Sequence, residues 1–362
     1  MSDVLAVGCY TAETGGRGGG IALVARDSAT GRLGGVLATH PAPSPSFLVT
    51  SGEGPLRVVH AAHELPEGAV STWRLDGSGG ALQLARVGSG GGSPCHVAVH
   101  PSGLLLVASG YDGAVGVVAV RGRPVARADE LAQVITPVLP GGTPGPVLDR
   151  QAGPHPHSAA FLDARHVVVA DLGTDELRVH AVVVEDGAPA RLDPDPVQVV
   201  RTPPGSGPRT ALVRDGRLHV TGELDGTLLT ADLADGRLGA LRSSPALAGS
   251  GPAGPPSEVT AVGRRHLVVA TRGEQPALAV HAVDADGTPR PLVDLPLEPF
   301  GARNPRHVLA LGRHLYVCAQ DSDLLLHLEL AGLDEDEDDA GPPRVVAHSA
   351  VRLGSPTAAV AL

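Results

Sequence analysis

The chain has 362 residues, with 48 glycines, 33 prolines and 42% hydrophobic residues, too apolar for a disordered chain and lacking the strict glycine period of collagen. Its 28 basic and 39 acidic residues give a formal net charge of −11, which argues against a nucleic-acid surface or an anionic membrane as the main partner. Cys9, Cys95 and Cys318 form no CxxC pair, so neither a disulfide framework nor a zinc knuckle is suggested, and a reducing cytoplasm is expected.

The first segment, VLAVGCYT from Val4, is apolar for only four residues and follows no basic region, so no export signal is read there. IALVAR from Ile21 and VLATH from Val36 follow as short strands, with the GGRGGG stretch near Gly15 as the loop between the first two. A motif then begins that recurs to the last residue, a proline opening a short apolar strand: SPSFLVT, SPCHVAV, HPHSAAF, GPRTALV, PPSEVTAV, NPRHVLAL and SPTAAVAL. The prolines are residues 45, 94, 156, 208, 256, 305 and 356, at spacings of 49, 62, 52, 48, 49 and 51. Such a period is that of propeller blades.

Within each repeat a second strand follows, such as LLLVASG from Leu104 or HVVVADLG from His166, then a third that alternates more clearly, such as ALAVHAV from Ala277. Turns like DGRLGA lead to a fourth, for example LQLARVG from Leu82. The seventh proline strand has nothing after it, while the chain starts on a second-type strand. A blade shared between the two ends closes the ring and removes free sheet edges. The expected fold is therefore all-β: one seven-bladed β-propeller domain over residues 1–362, with four antiparallel strands per blade. The acidic run Asp334–Asp339 reads as a solvated loop, because adjacent carboxylates repel and no ligand spacing flanks them.

In a blade threaded outward from the axis, the loop entering the first strand and the turn leaving the second share one face. The entry loops carry His96, His155, His157, Arg209, Glu258, Arg306 and His307; the turns carry Glu64, Asp171, Glu223, Arg272 and Gln320. Asp171, Glu223 and Gln320 follow their prolines by 15 residues and Arg272 by 16, so they are expected to ring the channel mouth. A polar strand-end residue often only caps a turn, and a single buried histidine is commonly structural. Several cations and carboxylates aimed at one cleft, however, form an anion site. The longest interval falls in VLPGGTPGPVLDRQAG from Val138, read as a wall or lid that delivers Arg150 and Gln151. Metal-ligand spacing, phosphate loops, dinucleotide fingerprints and GxSxG are absent, so no cofactor and no metal are expected. Only three Phe, one Trp and three Tyr are present, leaving hydrogen bonds and charge to dominate recognition.

RQAGPHPHS followed by VVVADLGTD, then GSGPR followed by GEL, then a TRG turn, resemble the lactonase-family seven-bladed propellers, among them the propeller type of 6-phosphogluconolactonase and a carboxymuconate-lactonizing enzyme. The resemblance spans essentially the whole chain. It implies catalytic residues at His157, Arg209, Glu223 and Arg272; Arg150, Gln151, His155, Asp171, Arg306 and His307, which the loops and turns carry to the same face, are expected to hold the substrate. It implies hydrolysis of a sugar-acid lactone, 6-phosphogluconolactone first, within carbohydrate metabolism and the pentose phosphate pathway. The partner is then a small anionic lactone, with no nucleic acid and no membrane. Muconate-type lactonizing chemistry and a non-catalytic binding scaffold are the alternatives. Three departures stand out: Thr210 where the family has GPRH, Gly222 where it has NEL, and Ser109–Gly110 in place of an Asn-Tyr pair.

Overall fold

A computed structural model describes residues 2–122, 125–249, 254–284, 286–333 and 341–362; the acidic run at 334–339 lies outside them. The described residues form seven antiparallel sheets, and the inner strands touch one another in cyclic order, each proline-led strand against the next. Blade one runs outward through Pro45–Ser51, Val58–His63, Ala69–Leu75 and Ala81–Gly88. Blades two to six begin at Pro94, Pro156, Pro208, Pro256 and Pro305. Blade seven joins the two ends of the chain in the order Leu33–His40, Ile21–Asp27, Ser2–Cys9, Pro356–Ala361.

Burial explains the strand patterns. The second strand of each blade is covered on both faces by neighbouring blades, so Val58–His63 and His266–Thr271 are buried at every residue and read as apolar runs. The outermost strand has a blade on each side only in part, and Arg344–Arg352 alternates half-buried and exposed along its length. In blades three and four this outer strand is broken in two. In blade three Pro194 and Pro196 separate Arg191–Leu192 from Gln198–Arg201, since proline has no N–H for the ladder. Strand histidines are mostly structural: His60, wholly buried, bonds Ser51 through Nε2 at 2.8 Å and Thr72 through Nδ1 at 3.0 Å.

The proline motif has a backbone reason. Ser44, Ser93, Gly207, Asn304 and Ser355, each immediately before an inner-strand proline, have positive φ between 39° and 59°. Short polar residues and glycine tolerate that left-handed conformation, which accounts for the Ser-Pro, Asn-Pro and Gly-Pro pairs. The carbonyl of the residue before the proline accepts the amide of the residue that leaves the second strand. This bond occurs in all seven blades at 2.9 to 3.1 Å, with donors Tyr10, Glu64, Tyr111, Leu172, Glu223, Arg272 and Gln320. Seven equivalent positions are thereby fixed around the axis on one face.

No helix among the described residues is long and apolar enough to cross a membrane. Cys9, Cys95 and Cys318 are buried free thiols.

Candidate active site

Four of the seven amide-anchored positions and four of the residues just after the inner prolines meet at the mouth of the axis. A cavity of about 370 Å3 there is lined by Glu64, Tyr111, Glu223 and Arg272 from the first set and Cys95, His157, Arg209 and Arg306 from the second, with Arg150 from the long loop. The remaining residues after the prolines face away and staple blades together: Ser46 donates to the Pro94 carbonyl at 2.9 Å, Ser257 to Pro305 at 2.5 Å and Thr357 to Pro45 at 2.7 Å.

Glu223 is the hub. Its Oε1 accepts from Arg150 Nη2 at 2.7 Å, and its Oε2 lies 2.8 Å from Arg209 Nη1 and 3.0 Å from Arg272 Nη2. Burial disfavours the charge on Glu223, but Arg209, Arg272 and Arg150 overcome it and hold the carboxyl well below the usual carboxylate range. Arg209 Nη1 also donates to His157 Nε2, and its Nε donates to the Ser257 carbonyl at 2.9 Å. Burial, reinforced by Arg209, keeps His157 neutral, well below the ordinary histidine value. Arg272 is pulled down to about 10, by burial and then by Arg209, and its Nε is buried with no acceptor.

Across the cavity stands a second group. Arg306 Nη2 lies 2.9 Å from Glu64 Oε2, the Tyr10 hydroxyl donates to the same oxygen at 2.5 Å, and the guanidinium sits 4.8 Å over the Tyr10 ring. Four guanidiniums against two carboxylates leave the lining with a surplus of two positive charges. A larger hollow of about 670 Å3 lies between blades one and seven, walled by Val4, Val59, Leu75 and Leu362 together with Asp3, Arg57, Arg74 and Asp76; it contains no imidazole.

One residue further along the inner strands the surroundings change. Phe47, His96, Thr210, Glu258 and His307 line the axis below the cavity around a space of only about 20 Å3, room for about one water. Burial pushes Glu258 up to about 8, against the pull of Arg209, and lowers His96 to about 3 and His307 to about 4. These groups are neutral at pH 7.

The long loop walls the cavity as its position implied. Arg150 Nε donates to the Tyr111 hydroxyl at 3.0 Å. Gln151 is fully buried, donating to the Leu172 carbonyl at 3.0 Å and accepting from the Val147 amide at 3.2 Å; it anchors the loop and does not reach the cavity. The loop docks closely at Gly173, where a Cβ would lie 1.9 Å from the Gly153 carbonyl oxygen.

His157, Arg209, Glu223, Arg272, Arg150 and Arg306 converge on the cavity, whereas four other expected substrate contacts do not. Asp171 is wholly buried and caps its turn, its Oδ1 accepting from the amides of His155 at 2.8 Å, Gly173 at 3.1 Å and Thr174 at 3.2 Å. The reason is register: Pro156 pairs with Asp171 itself, whereas Pro208 pairs with Gly222, so the position equivalent to Glu223 is Leu172. His155 stacks on Tyr111 at 4.4 Å between ring centroids, outside the lining. His307 lies in the channel below, and Gln151 is the loop anchor already described. Gln320 holds a ring position yet is not part of the lining.

Sequence reasoning overlooked Tyr111 and Tyr10. The reading at Ser109 and Gly110 did not go on to Tyr111, which holds the ring position because Pro94 pairs with Gly110. The other two departures also have local accounts. Thr210 donates to the Ser257 carbonyl at 2.9 Å, and a Cβ on Gly222 would lie 2.4 Å from both Asp225 Oδ1 and Thr227 Oγ1. Among the described residues no group of three or more His, Cys, Asp or Glu side chains is arranged to hold a metal ion.

The family model for lactonase, 7-bladed beta-propeller, matches residues 4–334. The chain belongs to this lactonase family. No curated protein matches it. Among solved structures, the lactonase-family propeller resembles a provisional 6-phosphogluconolactonase from Bacteroides fragilis, at TM-score 0.85 and 22% identity over 100% of this chain and 98% of that one. It also resembles PpgL, a periplasmic gluconolactonase of Pseudomonas aeruginosa, at TM-score 0.84 and 26% identity over 100% and 99% of the two chains. A provisional 6-phosphogluconolactonase from Bacteroides uniformis aligns at TM-score 0.83 and 21% identity over 100% and 99%.

Proposed function

We propose that this propeller hydrolyses the lactone of an anionic sugar acid, with 6-phosphogluconolactone, opened to 6-phosphogluconate, as the leading substrate. The observation that carries the reading is Glu223 held among Arg150, Arg209 and Arg272 in a cavity with two surplus positive charges. A buried carboxylate supplies a base, and guanidiniums supply both an oxyanion partner and a bidentate seat for phosphate or carboxylate. Family membership and the gluconolactonase names of two kinds of neighbour agree with it.

In this reading a water molecule attacks the lactone carbonyl and gives a proton to Glu223. Arg209, fixed by His157 and the Ser257 carbonyl, stabilises the oxyanion, a contribution on the order of 3 kcal/mol. Collapse breaks the ring C–O bond, and the departing ring oxygen takes the proton back from Glu223. His157 is thus a positioning residue, since its Nε2 is already occupied by Arg209. Arg272, Arg150 and Arg306 seat the substrate's remote charge. The chemistry runs without a metal, in a reducing cytoplasm where the three thiols stay free.

The test is turnover of freshly generated 6-phosphogluconolactone by EDTA-treated protein, corrected for spontaneous hydrolysis and compared with Glu223→Gln. Fast turnover lost in the variant supports the reading. Equal rates for both proteins would reject the carboxylate, and no turnover of any sugar-acid lactone would leave a binding scaffold.

A further inference from the structure

A carboxylate gripped by three guanidiniums is a poor base, and its burial does not rescue it. The three grips are unequal. Arg209 is 6% exposed and locked by Ser257 and His157, whereas the Arg272 and Arg150 side chains are 21% and 34% exposed. Arg272 also has a buried Nε with no acceptor, and Arg150 stands on a loop, steadied at the cavity by the Tyr111 hydroxyl. A tetrahedral dianion or a carboxylate entering the cavity can satisfy both of these guanidiniums at once. It then competes with Glu223 for the same donors.

We infer that the substrate's own remote anion, by drawing Arg150 and Arg272 away from Glu223, converts this carboxylate from an ion-pair partner into a working base. The inference rests on the lactone reading and deepens it: the anionic group of the substrate is an activator of the chemical step as well as a handle. Binding energy from a part of the substrate that does not react is then expressed in kcat, as expected when remote contacts are used to prepare the reacting centre. A neutral lactone of the same ring would sit over a Glu223 that is still clamped. The charged and titratable groups around Glu223 are Arg150 from the loop, His157 from blade three, Arg209 from blade four and Arg272 from blade five, with Tyr111, Cys95, Arg306 and Glu64 lining the rest of the cavity.

The experiment supplies the anion in a separate piece. Turnover of neutral glucono-1,5-lactone is measured with increasing inorganic phosphite, beside 6-phosphogluconolactone without it. In parallel the Glu223 carboxyl is titrated by difference infrared spectroscopy, wild type against Glu223→Gln, with and without phosphite. The expected result is a saturable rise in kcat for the neutral lactone on the order of tenfold, and an upward move of the Glu223 titration on phosphite binding. Arg150→Ala should raise neutral-lactone turnover several-fold, since one clamp is gone, and blunt the phosphite response. Phosphite that inhibits the neutral lactone or leaves the Glu223 titration in place overturns the inference, even if both lactones are hydrolysed. If no lactone is hydrolysed but phosphite still moves the titration, the lactone reading falls and the anion switch stands.

Discussion

The cavity and the channel beneath it are built from adjacent positions of the same inner strands, yet they belong to different electrostatic regimes. Arg209 and Thr210, or Arg306 and His307, are neighbours in sequence; the first of each pair faces the cavity and the second the axis. In the cavity a glutamate is ionised because guanidiniums surround it. In the channel Glu258 is kept protonated, pushed up to about 8, because burial outweighs the pull of Arg209. Two glutamates in one core thus carry opposite charge states at pH 7. Residue type does not decide the role; the number of cations at contact distance does.

The sharpest way to break this contrast is Glu223→Gln. Lactone turnover should fall by about 10²- to 10⁴-fold. Stability at pH 7 should also drop, by roughly 3 kcal/mol in urea unfolding, because guanidiniums lose their buried counter-charge. The Glu223 carboxyl lies below its unfolded value of 4.5, so its stabilisation is present above that pH and is lost as pH falls below it. Wild type should therefore lose more stability than the variant on acidification.

Glu258→Gln should do the reverse. Its folded carboxyl lies above the unfolded value, so the cost appears as pH climbs from 4.5 through about 8. At pH 9 the variant should exceed wild type by roughly 4–5 kcal/mol, and at pH 4 the two should match. A variant no more stable than wild type at pH 9 would mean that Glu258 is not a buried neutral acid. A smaller effect is expected of Tyr111→Phe, which removes only the hydroxyl that steadies Arg150; kcat/KM should fall about fivefold, roughly the worth of one hydrogen bond of 1 kcal/mol. Smallest is Gln320→Ala. Although it occupies a ring position, it is outside the lining, and turnover should stay within about twofold; a larger loss would extend the cavity beyond its present wall.

Much of this was legible in the sequence. The seven prolines gave the blades and their closure, because each follows a carbonyl that accepts the amide leaving the second strand, with a left-handed residue before the proline in five of the seven. His157, Arg209, Glu223, Arg272 and Arg306 could be placed at the mouth from strand order alone. Counting from the proline failed where hairpins differ in length. In blade three the hairpin carries one residue more than in blade four, so the count reached Asp171 when the mouth position is Leu172. In blade two the hairpin is longer still, two residues more than in blade four, and its mouth position, Tyr111, was passed over. Nothing in composition distinguishes a tyrosine at a ring position from one in the core; only pairing register does. Tyr316, fully buried and donating to the Gly31 carbonyl at 2.7 Å, is the counterexample.

The blade shared between the two ends of the chain has a consequence for the order of assembly. Tyr10 is anchored through its amide to the Ser355 carbonyl, and its hydroxyl holds Glu64 of blade one. On a ribosome Tyr10 emerges long before Ser355, its anchor. The strand Ser2–Cys9 must wait for Pro356–Ala361 before its inner edge is covered, and the hold of Tyr10 on Glu64 waits with it. Nascent chains lacking Pro356–Ala361 would carry the Glu223 cluster with Glu64 not yet held by Tyr10, so the second ionic group of the cavity waits for that strand.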